Sequence, residues 1–191
     1  MSPRALAIAI VTVATAVLAY VMFIGLPRMT TNANVKRTAA IPPVSVPAPP
    51  GRKIKAHLFY VGDDGTRLTS VERDVTYGDS AVEQAREIIA AQIAPVSDPL
   101  VSAIPAGTTL RAVFITEQGE AYVDLSRELS SAHPGGTVEE LLTVYTLVHA
   151  LTENLPAVKA VQVLVDGKEV ETLAGHVDLR RPLPKNPAWV Q

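Results

Sequence analysis

The densest apolar periodicity in the chain runs from Thr137 to Asp166. Val138, Leu141, Leu142, Tyr145, Val148, Leu151 and Leu155 recur at intervals of three and four, a broad face at helical period. Val144 and Leu147 widen that face beyond what a surface helix usually carries. Thr137 and Glu140 have the spacing of a capping box, in which each side chain meets an orphan backbone N–H at the helix start. Pro156 stops the helix, and Val161, Val163 and Val165 follow at the period of two expected of a strand. So apolar a helix is expected to lie against a sheet, with the following strand as its nearest neighbour.

Upstream, Ile54, Ala56, Leu58 and Tyr60 alternate with Lys55, His57, Phe59 and Val61, which predicts a strand. Gly62-Asp63-Asp64-Gly65 is a turn, and Thr66 to Val75 returns as the second strand of a hairpin. Ser80 and Glu83 repeat the capping-box spacing ahead of Val82, Ala85, Ile88, Ile89 and Ile93, a helix that ends before Pro95. After a loop broken by Pro99 and Pro105, Thr109–Thr116 and Ala121–Leu125 form a second hairpin around Glu117-Gln118-Gly119-Glu120. Polar residues and His133-Pro134-Gly135-Gly136 lead to the long helix. Asp166-Gly167 signals a last hairpin, returning through Glu169 to Leu173, with a short Val177-Asp178-Leu179 element after it. The order β-β-α-β-β-α-β-β predicts an α+β fold: a mixed β-sheet with two helices packed on one face. In the closing tail, residues 183–191, Trp189 either docks on the domain or hangs loose.

The N-terminus adds a different pattern. Ala5 to Leu26 carries no charge, and at about 1.5 Å per helical residue it spans a bilayer core of about 30 Å. A cleaved signal peptide has an apolar core of only about 7–15 residues, and the small-x-small site Ala14-Thr15-Ala16 lies inside the run. Residues 1–26 therefore read as an uncleaved transmembrane anchor. Arg4 faces Arg28, Lys36 and Arg37 across it, so basic residues do not set the orientation. The N-terminal flank is too short to fold, which puts the domain outside the cytoplasm, in a single-pass protein of the bacterial cytoplasmic membrane. Residues 27–52, with Pro42, Pro43, Pro47, Pro49 and Pro50, read as a linker. The folded domain is expected over 53–182.

The formal charge of −2 leaves no basic footprint, so nucleic acid is not an expected partner. Cysteine is absent, which excludes disulfides, thiolate metal sites, a cysteine nucleophile and a lipidated cysteine. His57, His133, His149 and His176 show no metal-ligand spacing. His149 is expected to face solvent or compensate the helix dipole near the helix end, and His176 to bond the backbone of its own turn. Glu72 and Arg73, neighbours on a strand, point to opposite faces and are expected to bond adjacent elements. Asp63 and Asp64 read as a polar turn rather than a cation site. Asp124 and Ser126 suggest capping or turn chemistry after a strand. No serine stands in a nucleophile elbow and no glycine-rich loop opens a helix. Catalytic, cofactor-binding and metal-binding residues are accordingly expected to be none, and the chain is expected not to be an enzyme; a hydrolase using His176 with a nearby carboxylate is the weakest rival.

Several landmarks recur in a known order: Leu58-Phe59-Tyr60, Gly62-Asp63-Asp64-Gly65, Glu72-Arg73, Ile104-Pro105-Ala106-Gly107-Thr108, and Gly119-Glu120-Ala121-Tyr122-Val123-Asp124-Leu125-Ser126. Tyr145-Thr146-Leu147, Val161-Gln162-Val163-Leu164-Val165-Asp166-Gly167 and Gly175-His176-Val177-Asp178-Leu179 complete the set. From Lys55 to Pro182 the chain resembles the GerMN domain, the sporulation and spore-germination module of bacterial envelope proteins. It departs from the family in carrying Ala94-Pro95 where members often have Gly-Pro, in lacking a cysteine to lipidate, and in having one copy of the domain. The resemblance implies a non-catalytic module, similar in fold to the ring-building motifs of secretion and sporulation channels, that acts through contacts with envelope proteins or with itself. No family catalytic residues carry over. An exposed strand would support β-augmentation. The rival reading of the module is peptidoglycan binding in support of a cell-wall amidase.

Overall fold

The computed structural model describes residues 51–191. The expected anchor, 1–26, and all but the last two residues of the expected linker, 27–52, lie outside them. Among the described residues no helix is long and apolar enough to cross a membrane.

Strands β1 (Lys53–Val61) and β2 (Leu68–Thr76) form an antiparallel hairpin, in register from Lys53 opposite Thr76 to Val61 opposite Leu68. The Asp64 carboxylate closes its turn by accepting from the N–H groups of Thr66 at 2.8 Å and Arg67 at 3.2 Å. Helix α1 (Ala81–Ile93) starts on the expected capping box, with Ser80 and Glu83 each accepting the other's backbone N–H. Strands β3 (Leu110–Ile115) and β4 (Glu120–Leu125) pair antiparallel. The turn between them needs Gly119, whose φ is 89° and where a Cβ would lie 2.5 Å from the Ala157 carbonyl oxygen. A short helix α2 (Glu128–Ser131), not expected from the sequence, precedes α3 (Thr137–Asn154). Helix α3 is the crossover that sets β5 (Ala160–Val165) parallel to β4. The two-residue strands β6 (Lys168–Glu169) and β7 (Leu183–Pro184) each pair antiparallel with β5.

The fold is α+β, and the sheet that contains β5 is mixed, as expected. It is not one sheet, however: β1 and β2 stand as a separate two-stranded unit, and β3 to β7 make the larger sheet. The expectation of two helices on one face of a single sheet is corrected accordingly. Helix α1 contacts both the hairpin and β3, and α3 contacts both β1 and β5, so the two helices bridge the sheets.

The breadth of the apolar face on α3 is explained by burial of every residue from Leu142 to Leu151. With Ile88, Ile89, Leu125, Val163 and Leu179 they form one continuous core, each large side chain contributing about 1.5–3 kcal/mol by leaving water. The start of α3 departs from expectation. Its N-cap is Gly136, at φ 94°, with no side-chain cap, and Glu140 is buried instead of closing a box with Thr137. The last hairpin is also shorter than the pattern suggests, because the chain beyond Glu169 turns away to meet Glu140. The tail docks: Trp189 stacks on Tyr145 with ring centroids 6.0 Å apart, and Val190 bridges to Leu68 in parallel.

Candidate interaction surface

The histidines are placed singly, each by a different element, and among the described residues no cluster could hold a metal ion. His149 does not face solvent. It is 2 % exposed on α3, packed 5.4 Å from the Phe59 ring and 6.0 Å from Tyr145, with Nε2 donating to the Asn186 carbonyl at 3.0 Å. Burial pushes its pKa below 6.5 against the opposing pull of Asn186 and Glu153, so the neutral ring is the resident form. His176 does not bond its own turn; its Nδ1 lies 3.2 Å from the Glu140 carboxylate. His133 accepts the Gly135 N–H at Nδ1 and presents Nε2 to the Thr143 hydroxyl at 3.1 Å. His57, exposed on β1, lies 3.1 Å from Ser70 Oγ.

The carboxylates serve the backbone. Glu140 accepts from the N–H groups of Leu173 at 2.7 Å and His176 at 2.9 Å. Asp124 accepts from Gly167 N–H at 2.7 Å and pairs with Arg111 at 3.1 Å, so its turn chemistry is done on the β5–β6 corner. Ser126 accepts from Thr109 N–H at 3.0 Å. Glu72 and Arg73 point to opposite faces as expected, Glu72 lying 3.6 Å from Lys55 and Arg73 over the Tyr60 ring.

What the sequence reading missed is how the two edges of the hairpin differ. The outer edge of β1 is closed by side-chain amides. Gln92 of α1 accepts the Phe59 N–H and donates to the Phe59 carbonyl, both at 2.8 Å. Asn154 of α3 does the same for His57, at 2.8 and 2.7 Å. Val61 N–H completes the row on the Val101 carbonyl at 2.9 Å. One signal was available: Gln92 falls four residues after Ile88, inside the apolar stripe of α1, where an amide needs partners.

The outer edge of β2 is different. Because His57 and Phe59 turn their amides away from β2, their cross-strand partners Glu72 and Ser70 turn theirs away from β1. The outward rungs of β2 are therefore Leu68, Ser70, Glu72, Asp74 and Thr76, of which Thr76 accepts from Gln84 Nε2 at 3.1 Å. The Leu68 rung is taken by the tail, whose Gln191 N–H donates to Leu68 O at 2.9 Å. Ser70, Glu72 and Asp74 are exposed, and among the described residues no protein group pairs with their outward backbone groups. Beside this open edge lies a cleft of roughly 360 Å³, floored by Phe59 and His149 and bounded by His57, Ser70, Pro187 and Val190.

Such a surface can bind a strand; its residues show no assembled nucleophile, base and oxyanion donors. Comparison with known proteins agrees with the fold. A candidate lipoprotein from Clostridium perfringens superposes with a TM-score of 0.50 at 22 % identity, over 71 % of this chain and 89 % of that one. The tandem GerMN domains of the sporulation protein GerM from Bacillus subtilis give 0.51 at 18 % identity, over 71 % of this chain and 45 % of that one. No curated protein matches the chain. The model of the family described as Germane, sporulation and spore germination, matches residues 57–171, more than half of the sequence, and the chain belongs to that family.

Proposed function

We propose that this protein is a membrane-anchored, non-catalytic module of the bacterial cell envelope that holds a protein partner along the open edge of β2. The uncharged run from Ala5 to Leu26 supports the anchor, and likeness to a candidate lipoprotein and to a sporulation protein supports the envelope setting. The observation that carries the reading is the asymmetry of the hairpin. Amides from two helices close β1, while three consecutive outward rungs of β2 have no partner among the described residues. Edge strands with free N–H and C=O groups are templates for another chain, and β-augmentation uses them for recognition.

Glu72→Pro tests this directly. The Glu72 N–H points away from β1, so proline removes no ladder bond and suits an edge position. In vivo cross-linking of the full-length protein is expected to capture an envelope partner from the wild type and lose it from Glu72→Pro, with the melting temperature nearly unchanged. Equal capture by both proteins would end the proposal.

A further inference from the structure

We infer that the strand received by β2 carries an apolar residue opposite Ser70 and a basic residue two positions away, opposite Glu72. This rests on the edge reading above and adds the chemistry of the partner.

Cross-strand neighbours share a face. Ser70, Glu72 and Asp74 lie on the face that also carries His57 and Phe59, the face on which the cleft opens. A residue opposite Ser70 thus stands one rung along from Val190, an apolar residue of the cleft lining, while Phe59 lines the cleft from β1. Two and four residues further along β2 the acceptors are Glu72 and Asp74, the only charges β2 places on that face. Lys55 pairs with them at 3.6 and 3.0 Å, but it sits on β1, on the far side from the newcomer, and those exposed contacts are worth little. A basic side chain opposite Glu72 meets that acid as its direct neighbour and reaches Asp74 along the diagonal. The tail already shows the edge accepting another backbone segment: Val190 bridges to Leu68, and Gln191 N–H donates to Leu68 O.

A second copy of this chain is a poor occupant. In an antiparallel β2–β2 pair, centring on Glu72 sets it against its own copy, and centring on Arg73 sets Glu72 against Asp74. Centring on Val71 avoids both but runs Asp74 onto the Leu68 rung, which the tail fills. Like charges directly opposite are destabilising. The favoured partner is therefore a different, basic segment.

The test uses the full-length protein in detergent and two blocked, fluorescein-labelled peptides, Leu-Thr-Lys-Thr-Lys-Thr and its reverse Thr-Lys-Thr-Lys-Thr-Leu, which run from the Ser70 rung away from the tail in either strand direction. Anisotropy titration is expected to show saturable binding, weakened at least about ten-fold when both peptide lysines become glutamate, a loss of about 1.4 kcal/mol. The doubly changed protein Glu72→Lys, Asp74→Lys is expected to reverse that preference, and Glu72→Pro to abolish binding to either peptide. No binding, or equal binding of the lysine and glutamate peptides, would overturn the inference. If partner capture in cells still depended on an intact Glu72 backbone, the edge reading would survive that result. Concentration-dependent self-association lost in Glu72→Pro would overturn the inference in favour of a second copy.

Discussion

Glu140 is the clearest case of one residue organising a region. Its side chain is fully buried, and an ionised carboxylate there would cost several kcal/mol without partners. Burial pushes its pKa up, but the backbone N–H groups of Ala174, His176, Leu173 and Val177 outweigh that and hold it below the ordinary value of 4.5. The folded pKa is thus the lower one. The stability it confers is complete above about pH 4.5 and is lost as pH falls through the depressed folded value. Glu140→Gln keeps the shape but sets an amide NH2 against backbone donors, and is expected to cost about 2–4 kcal/mol at neutral pH. Urea unfolding at pH 7 and pH 3.5 checks this: the gap between wild type and variant is expected to shrink at the lower pH, and an unchanged gap would refute the role. The sequence contained a hint, since Glu140 lies in line with Val144, Leu147 and Leu151 on the helix. The capping-box spacing with Thr137 offered a local partner for the carboxylate, while its real partners, more than thirty residues away, leave no trace in local spacing.

At the scale of elements, the helices do two jobs, filling the core and replacing a missing strand. Gln92 is fully buried where it bonds Phe59, whereas the Asn154 bonds to His57 are exposed. Gln92→Leu conserves volume but leaves a buried N–H and C=O unpaired, with an expected cost of about 2–4 kcal/mol. Asn154→Ala exposes its orphans to water and is expected to cost only about 1 kcal/mol. Denaturant unfolding gives both values, and hydrogen exchange should quicken at the Phe59 amide in the first variant alone; similar losses in both would mean that burial does not set the difference. These contacts also explain what was and was not legible. Alternation in Ile54–Val61 and period in Val138–Leu155 revealed the strands and helices, because each element's burial is written in its own residues. Strand partnership is not: nothing in β1 alone says that its free edge meets amides rather than β3. The open edge of β2 was likewise visible only once its register with β1 was known.

Across the whole domain, the tail ties α3 to the hairpin, and His149 is its fastening point. The ring is enclosed by Phe59 from β1, Tyr145 from its own helix and Asn186 from the tail, with Glu153 3.9 Å from Nδ1 and Lys185 beyond it. Burial favours the neutral ring and Lys185 reinforces it; Asn186 and Glu153 oppose without prevailing. Unfolding returns the ring to water and to a pKa near 6.5, so the unfolded chain binds more protons in the interval just below that value. Stability from the neutral ring is complete above about pH 6.5 and is lost as pH falls through the lower folded value. His149→Gln keeps an N–H donor for the Asn186 carbonyl but cannot titrate. It is expected to start about 1–2 kcal/mol less stable, through lost packing against Phe59 and Tyr145, and then to hold its melting temperature from pH 7.5 to 5 while the wild type declines. Parallel decline in both proteins would show that the acid loss arises elsewhere. Because Asn186 leads through Trp189 to the Gln191 rung on Leu68, the same protonation should speed hydrogen exchange at the Gln191 amide, linking a helix side chain to the edge where the partner strand would begin.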